Sequence, residues 1–159
     1  MHWPHWQQQM EFNRTRTLGL LDSVEKAEAL GFRPGPGRAH IAWQLMHIGI
    51  TEELFATARL TTDRQTIYAE LAPRFQGGST PDDDIPPAAL IREVLTRGRE
   101  RLFETIARFD DADLPQVKFV AKDGRQLTLQ TILHILVWHE PHHQGQAHLT
   151  FNLFKARQG

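Results

Sequence analysis

Cysteine is absent from this 159-residue chain, tyrosine occurs once, and no apolar run approaches the roughly 18 residues that a membrane-crossing helix needs. Without cysteine there are no disulfides, no thiolate metal sites and no internal thiol nucleophile. Any metal must therefore be held by nitrogen and oxygen, and any thiol chemistry must use a thiol from outside. A charge excess is missing too: 18 Lys+Arg stand against 19 Asp+Glu, a formal net charge of −1. With no basic field to hold a phosphate backbone, nucleic-acid binding is not expected. The opening stretch, MHWPHWQQQMEFNRTRTLGLL, lacks the basic start and apolar centre of a secretory signal. These absences point to a soluble cytoplasmic protein with no membrane partner, and the length suits a single domain over residues 1–159.

Helical spacing is what the chain has in quantity. One segment runs from about Trp6 to Leu30, carries Met10, Leu20, Leu21, Val24 and Ala27 on one side, and stops at Gly31. The connection FRPGPG is short and stiff, so the next helix, from about Arg38 to Leu60, returns antiparallel. A third helix follows Pro86-Pro87 and extends toward Phe109, and a fourth runs from about Leu127 to Ala156. The stretch between the second and third helices is long enough for a crossover, and Thr62-Asp-Arg-Gln65 within it has the form of a capping box. Before the fourth, Val117, Phe119 and Ala121 alternate ahead of Asp123-Gly124, the pattern of a small hairpin. The fold class read from this is all-α, a four-helix bundle with at least one long crossover.

Nine histidines are the chemically distinctive feature. In His139-Glu140-Pro141-His142-His143, the first and last lie four residues apart, about 40° from each other on a helix and on the side of Leu129, Ile132, Leu136 and Phe154. His134 and His148 fall on the opposite side, and His142 flanks. In the second helix Trp43, His47, Ile50, Leu54 and Ala58 share a stripe, which turns His47 inward, with His40 one heptad earlier. A single inward histidine is commonly a core residue satisfied by one hydrogen bond. Three are costly to bury without partners, and one divalent metal satisfies all three through neutral ring nitrogens. His47, His139 and His143 are therefore the candidate ligands, an i,i+4 pair plus one from a facing helix, leaving a coordination position open.

HEPHH also fits the H-E-x-x-H pattern of zinc proteases. That reading fails downstream of the motif, because no acidic residue comes after Glu140 and Leu149 stands where the third histidine of the longer pattern belongs. Glu140 and Glu53 are weak candidates for proton acceptors, Glu140 lying about 80° from the ligand direction. Pro141 deprives the Val137 carbonyl of its helical donor and should kink or widen the helix. Trp3, Trp6, Trp43, Phe12 and Phe55 fit core or dimer interface better than a substrate pocket.

The combination of an isolated histidine in IAWQLMHIGITEELF with a later H-x-x-x-H-x-G-Q helix, here LHILVWHEPHHQGQAHL, resembles the DinB/YfiT-like superfamily of metal-dependent bacterial proteins. The likeness runs through nearly the whole chain. It implies an up-down-down-up four-helix bundle, often a homodimer, with zinc or nickel held by three histidines, which map onto His47, His139 and His143. Gln144 stands where relatives commonly carry arginine, and Pro141 lies between the ligands. Some relatives are S-transferases or isomerases that use a low-molecular-weight thiol, which makes such a transferase acting on electrophilic small molecules the leading expectation. A metal-dependent hydrolase using activated water, and a non-catalytic metal-stabilised helical dimer, are the alternatives. Since free imidazole has a pKa of about 6.5, metal affinity is expected to fall below about pH 6.

Overall fold

A computed structural model describes the backbone of residues 3–159 and the side chains from residue 5 onward, so the Trp3 side chain lies outside the described residues. Helix α1 spans Trp3–Lys26, α2 Ile41–Leu54, α3 Ala72–Phe75, α4 Ala88–Ile106 and α5 Leu129–Ala156; strands β1, Val117–Val120, and β2, Gln126–Thr128, form an antiparallel pair before α5. The four long helices are those expected from the spacing. Contacts advance together along α2 and α4 (Glu52 to Arg99, Glu53 to Arg101, Ala56 to Thr105) and along α1 and α5 (Trp6 to His134, Arg14 to Glu140), so these pairs run parallel. Helix α2 meets α5 in the opposite sense, Gln44 on Gln146 and His47 on His139, which is the up-down-down-up order. No helix among the described residues is long and apolar enough to cross a membrane.

The ends of the elements follow local chemistry. Helix α1 stops four residues short of the expected Leu30 because Glu28 takes a left-handed φ of 55°, with the Ala29 N–H donating to the Val24 carbonyl at 3.0 Å and the Glu28 N–H to Glu25 at 3.0 Å. That is a Schellman closure on a residue other than glycine. His40 caps α2, its Nδ1 accepting from the Trp43 N–H at 2.9 Å, and Thr128 caps α5. The Thr62–Gln65 capping box does not form. Glu53, fully buried on α2, instead accepts from Thr66 Oγ1 at 2.5 Å, the Ile67 N–H at 3.2 Å and Arg101 Nε at 2.9 Å, which pins the crossover in a non-helical path.

Helix α2 is the centre of the bundle, with every residue from Ile41 to Glu53 buried. It continues into a single π turn, Phe55–Arg59, rather than running on as plain α-helix to Leu60. At its crossing with α4 two glycines meet: a methyl at Gly98 would stand 2.5 Å from the Gly49 carbonyl oxygen, and one at Gly49 2.7 Å from the Val94 carbonyl. Alanine is the better helix former by about 1 kcal/mol, yet backbone cannot retreat as a side chain can. Gly98→Ala is expected to destabilise the fold by about 1–3 kcal/mol despite that propensity, measured by denaturant unfolding.

Pro141 is carried inside a continuous α5. The Val137 carbonyl it leaves without a helical donor accepts instead from Asn13 Nδ2 on α1 at 3.2 Å. A neighbouring helix thus supplies what the proline removes, and α5 keeps its helical spacing through the site.

Candidate metal centre

Helices α2 and α5 bring His47, His139 and His143 together. One ring nitrogen from each lies within 4.8 Å of the others, and His47 Nε2 is 3.1 Å from His139 Nε2. His47 is buried and the other two partly so. His40 is not part of the group, being committed to the α2 cap; His134 is exposed with its ring edge on Trp6, and His148 is exposed.

Outer partners fix which nitrogen is free in two of the three rings. The Phe75 carbonyl, at the end of α3, can only accept, so His47 Nδ1 carries the proton donated to it over 2.6 Å and Nε2 keeps its lone pair. Likewise His143 Nδ1 donates to Gln44 Oε1 at 2.6 Å. Gln44 passes the chain on, its Nε2 donating to Gln146 Oε1 at 3.0 Å, and Gln146 Nε2 to the exposed His142 at 2.7 Å. The Trp43 indole lies flat on His47, centroids 4.7 Å apart at 11°, and is itself held by Nε1–H donation to the Arg74 carbonyl at 3.1 Å.

Burial holds all three imidazoles neutral, which is the form a metal requires. It lowers the pKa of His47, lowers that of His139 to about 4 with help from His47, and lowers that of His143 to about 2 with help from His139 and His47. The donor set is three borderline imidazole nitrogens within 4.8 Å of one another, which suits a divalent first-row ion. A folded pKa below the unfolded value of about 6.5 means that the unfolded chain takes up protons first as pH falls. Metal-free protein should therefore lose stability from about pH 6.5 toward pH 4, by at most about 1.4 kcal/mol per pH unit for each histidine, as read from denaturant melts at several pH values. Metal release from folded protein correspondingly moves below the pH 6 that free imidazole suggests. Protons compete weakly for rings whose pKa burial has lowered, His139 to about 4.

The two candidate proton acceptors are committed elsewhere. Glu53 is bound by Arg101 and the crossover. Glu140 is buried and accepts from Arg14 Nε at 2.7 Å and Arg99 Nη2 at 2.5 Å, while Glu52 accepts from Arg14 Nη2 at 2.9 Å and Arg99 Nε at 3.0 Å. Burial alone would raise the Glu52 pKa, but Arg14 and Arg99 outweigh it and hold the carboxyl below its ordinary range. Each long helix contributes one member to this cluster. Sequence reasoning missed it, along with Gln44; of the outer partners only Gln146 was signalled, as the last residue of the H-x-x-x-H-x-G-Q pattern. Phe55 belongs to the core, Phe12 is exposed, and Trp6 lines a shallow apolar groove with Met10 and Phe103.

A family model described as the DinB superfamily matches residues 9–147, a span that includes all three histidines and both outer glutamines. The chain belongs to the DinB superfamily. Its fold is also that of a DinB-like protein from Bacillus cereus known from a crystal structure, with a TM-score of 0.68 at 19% identity, covering 94% of this chain and 91% of that one. No curated protein matches the sequence significantly. Among the described residues of this DinB-superfamily chain, the group that could hold a metal is His47, His139 and His143.

Proposed function

We propose that this DinB-superfamily chain is a metal-dependent enzyme, loaded with zinc or nickel, that transfers a low-molecular-weight thiol to electrophilic small molecules. The observation that carries the reading is the convergence of three neutral imidazoles, two of them anchored from outside by Phe75 and Gln44, in a group that holds three protein ligands among the described residues. Three ligands leave room for an exchangeable one, as catalytic sites do. When bound, a divalent cation there supplies Lewis acidity and lowers the pKa of a coordinated thiol or water.

The chain's own residues prepare that chemistry. Phe75 and Gln44 fix ring orientation, and Trp43 covers one face of His47. The absence of cysteine leaves the thiol to be supplied from solution. A groove of about 360 Å³, lined by Pro34, Trp43, Gln44, Pro81, Gln146 and Leu153, adjoins the site through Trp43 and Gln44 and is of a size for a small organic molecule. Reduced thiols are plentiful in the cytoplasm, the location proposed here. A homodimer is the proposed working form, since Trp138, Leu149 and Leu153 leave a stripe of exposed apolar surface at helical spacing on α5.

The test is turnover. Metal-loaded protein, offered common bacterial thiols with a panel of chloroarenes, epoxides and activated alkenes, is expected to exceed the background conjugation rate for at least one pair. Background rates throughout, with metal bound, would point to the non-catalytic reading; ester or lactone hydrolysis without thiol would point to the hydrolase.

A further inference from the structure

The connection between α1 and α2 and the crossover after α3 form two walls of the groove beside the three histidines, with Pro34, Gly37 and Arg38 on one and Pro81 on the other. Arg33 ties these walls together. Its Nη1 donates to the Arg38 carbonyl at 2.7 Å, and its Nη2 donates to the Asp82 carbonyl at 2.5 Å and to Asp83 at 2.8 Å. Arg74 fixes the crossover a second time, on Asp82 at 2.9 and 3.0 Å and on Asp84 at 3.0 Å. Trp43 and Gln44, each only 8% exposed, are the floor. Walls held this way are formed before anything binds, so ordering them costs a ligand little.

That floor joins the groove to the candidate metal centre by direct contact. Trp43 stacks on His47 with centroids 4.7 Å apart and stands edge-on to His143 at 6.5 Å, and Gln44 Oε1 accepts from His143 at 2.6 Å.

Most polar side chains lining the groove are already satisfied. Gln44 is shared between His143 and Gln146, Gln146 between Gln44 and His142, and the Thr150 hydroxyl donates to the Gln146 carbonyl at 2.8 Å. Arg38 differs: its guanidinium makes no hydrogen bond or ion pair with any described residue. No carboxylate lines the groove, and the acids that follow Pro81 are engaged by Arg33 and Arg74. Pro34, Ala39, Trp43 and Pro81 give an apolar surface even without Leu149 and Leu153, which belong to the stripe proposed for the dimer. An unpaired guanidinium fork beside apolar walls favours a carboxylate on an apolar body.

We propose that this groove is the substrate site of the metal centre and that its substrates are organic acids, the apolar body lying against Trp43 and the prolines and the carboxylate pairing with Arg38. This rests on the reading of His47, His139 and His143 as an open metal centre and narrows its electrophiles to those that carry a carboxylate.

The experiment is calorimetric titration of zinc-loaded and of metal-free protein with 3-phenylpropanoate and with 3-phenylpropan-1-ol, which share an apolar body and differ in end charge. Wild type is expected to bind the acid about tenfold or more tightly than the alcohol in both forms, as a charge-assisted paired contact should. In Arg38→Gln that preference should fall to about threefold or less with the alcohol unchanged, and Arg38→Lys should keep part of it. Arg16→Gln, in a separate groove between α1 and α5, should leave the preference whole. Acid binding to metal-free protein should also move the ¹⁵N ring signals of His47 and His143 through Trp43 and Gln44. Equal binding of acid and alcohol, no binding of either, or a preference that survives Arg38→Gln would overturn the assignment. So would Arg38-dependent binding that leaves both ring signals in place, since the acid would then lie away from Trp43 and Gln44. An acid that binds only with zinc present and regardless of Arg38 is coordinating the ion, which overturns the groove assignment and leaves the metal centre standing. Protein that takes up no zinc fails as a metal enzyme, and the metal-free titration still decides whether the groove binds organic acids.

Discussion

Arg99→Ala is expected to lower the free energy of unfolding by about 3–5 kcal/mol, a large share of the roughly 5–15 kcal/mol that keeps a domain folded. The arginine touches Glu52 through two nitrogens, at 3.0 and 2.5 Å, Glu140 at 2.5 Å and the Met10 carbonyl at 2.7 Å. Removing it leaves two buried carboxylates sharing Arg14, whose own guanidinium is already divided between them and the Leu95 carbonyl. A buried carboxylate that loses its counter-charge carries its desolvation cost uncompensated. The intact cluster, two positive and two negative, is a different matter. Replacing all four members together with apolar residues of similar volume, Arg14→Met, Glu52→Leu, Arg99→Met and Glu140→Leu, is expected to be near neutral or even stabilising. The contrast identifies the role: the cluster contributes less to net stability than to the order of the helices, because Arg14 from α1 and Arg99 from α4 must each reach α2 and α5. Urea melts of the single and quadruple variants check this, and a loss under about 1 kcal/mol for Arg99→Ala would mean that the cluster is hydrated in solution.

The helix faces make the grouping of His47, His139 and His143 legible in the sequence, since a 3.6-residue period is a property of the chain alone. The same projection put Glu140 off the ligand direction without saying what it meets. Its partners come from α1 and α4, and only the packing of four helices brings Arg14 and Arg99 to it. That is why two carboxylates open to reading as proton acceptors turn out to be internal counter-ions. The capping-box pattern at Thr62–Gln65 lost to a tertiary competitor, Glu53, which satisfies Thr66 and Ile67 better than a new helix start would. Pro141 was read correctly as a lost hydrogen bond, but its consequence depended on Asn13, 128 positions earlier in the chain than Pro141, donating to the freed carbonyl. The π turn at Phe55–Arg59 and the Gly49–Gly98 contact left no mark on the periodicity at all. Local rules thus point to the candidate ligands, whereas Phe75 and Gln44, which orient two of their rings, come from distant positions in the chain.

His47→Ala is expected to abolish stoichiometric metal binding, and Gln44→Ala to weaken it by about 10–100-fold, so the two variants separate ligand from support. Wild-type protein purified without added metal and then offered zinc or nickel should hold close to one ion per chain. At a free metal concentration about 1,000 times the dissociation constant, binding should stabilise wild type by about 4 kcal/mol, and this increment should vanish in His47→Ala, His139→Ala and His143→Ala. Gln44 is the more informative probe because it touches no metal. It acts by holding His143 with its Nδ1 protonated, and the Gln44→Glu variant should keep much of the affinity since a carboxylate also accepts that proton. In the metal-free protein His139 Nε2–H donates to His47 Nε2, the one arrangement open once Phe75 has fixed the His47 tautomer. A metal held through His139 Nε2 would displace that proton to Nδ1. A change of His139 tautomer on adding zinc, read from ¹⁵N shifts of the imidazole ring, would therefore report occupation of this centre; full metal content in His47→Ala would place the ion elsewhere.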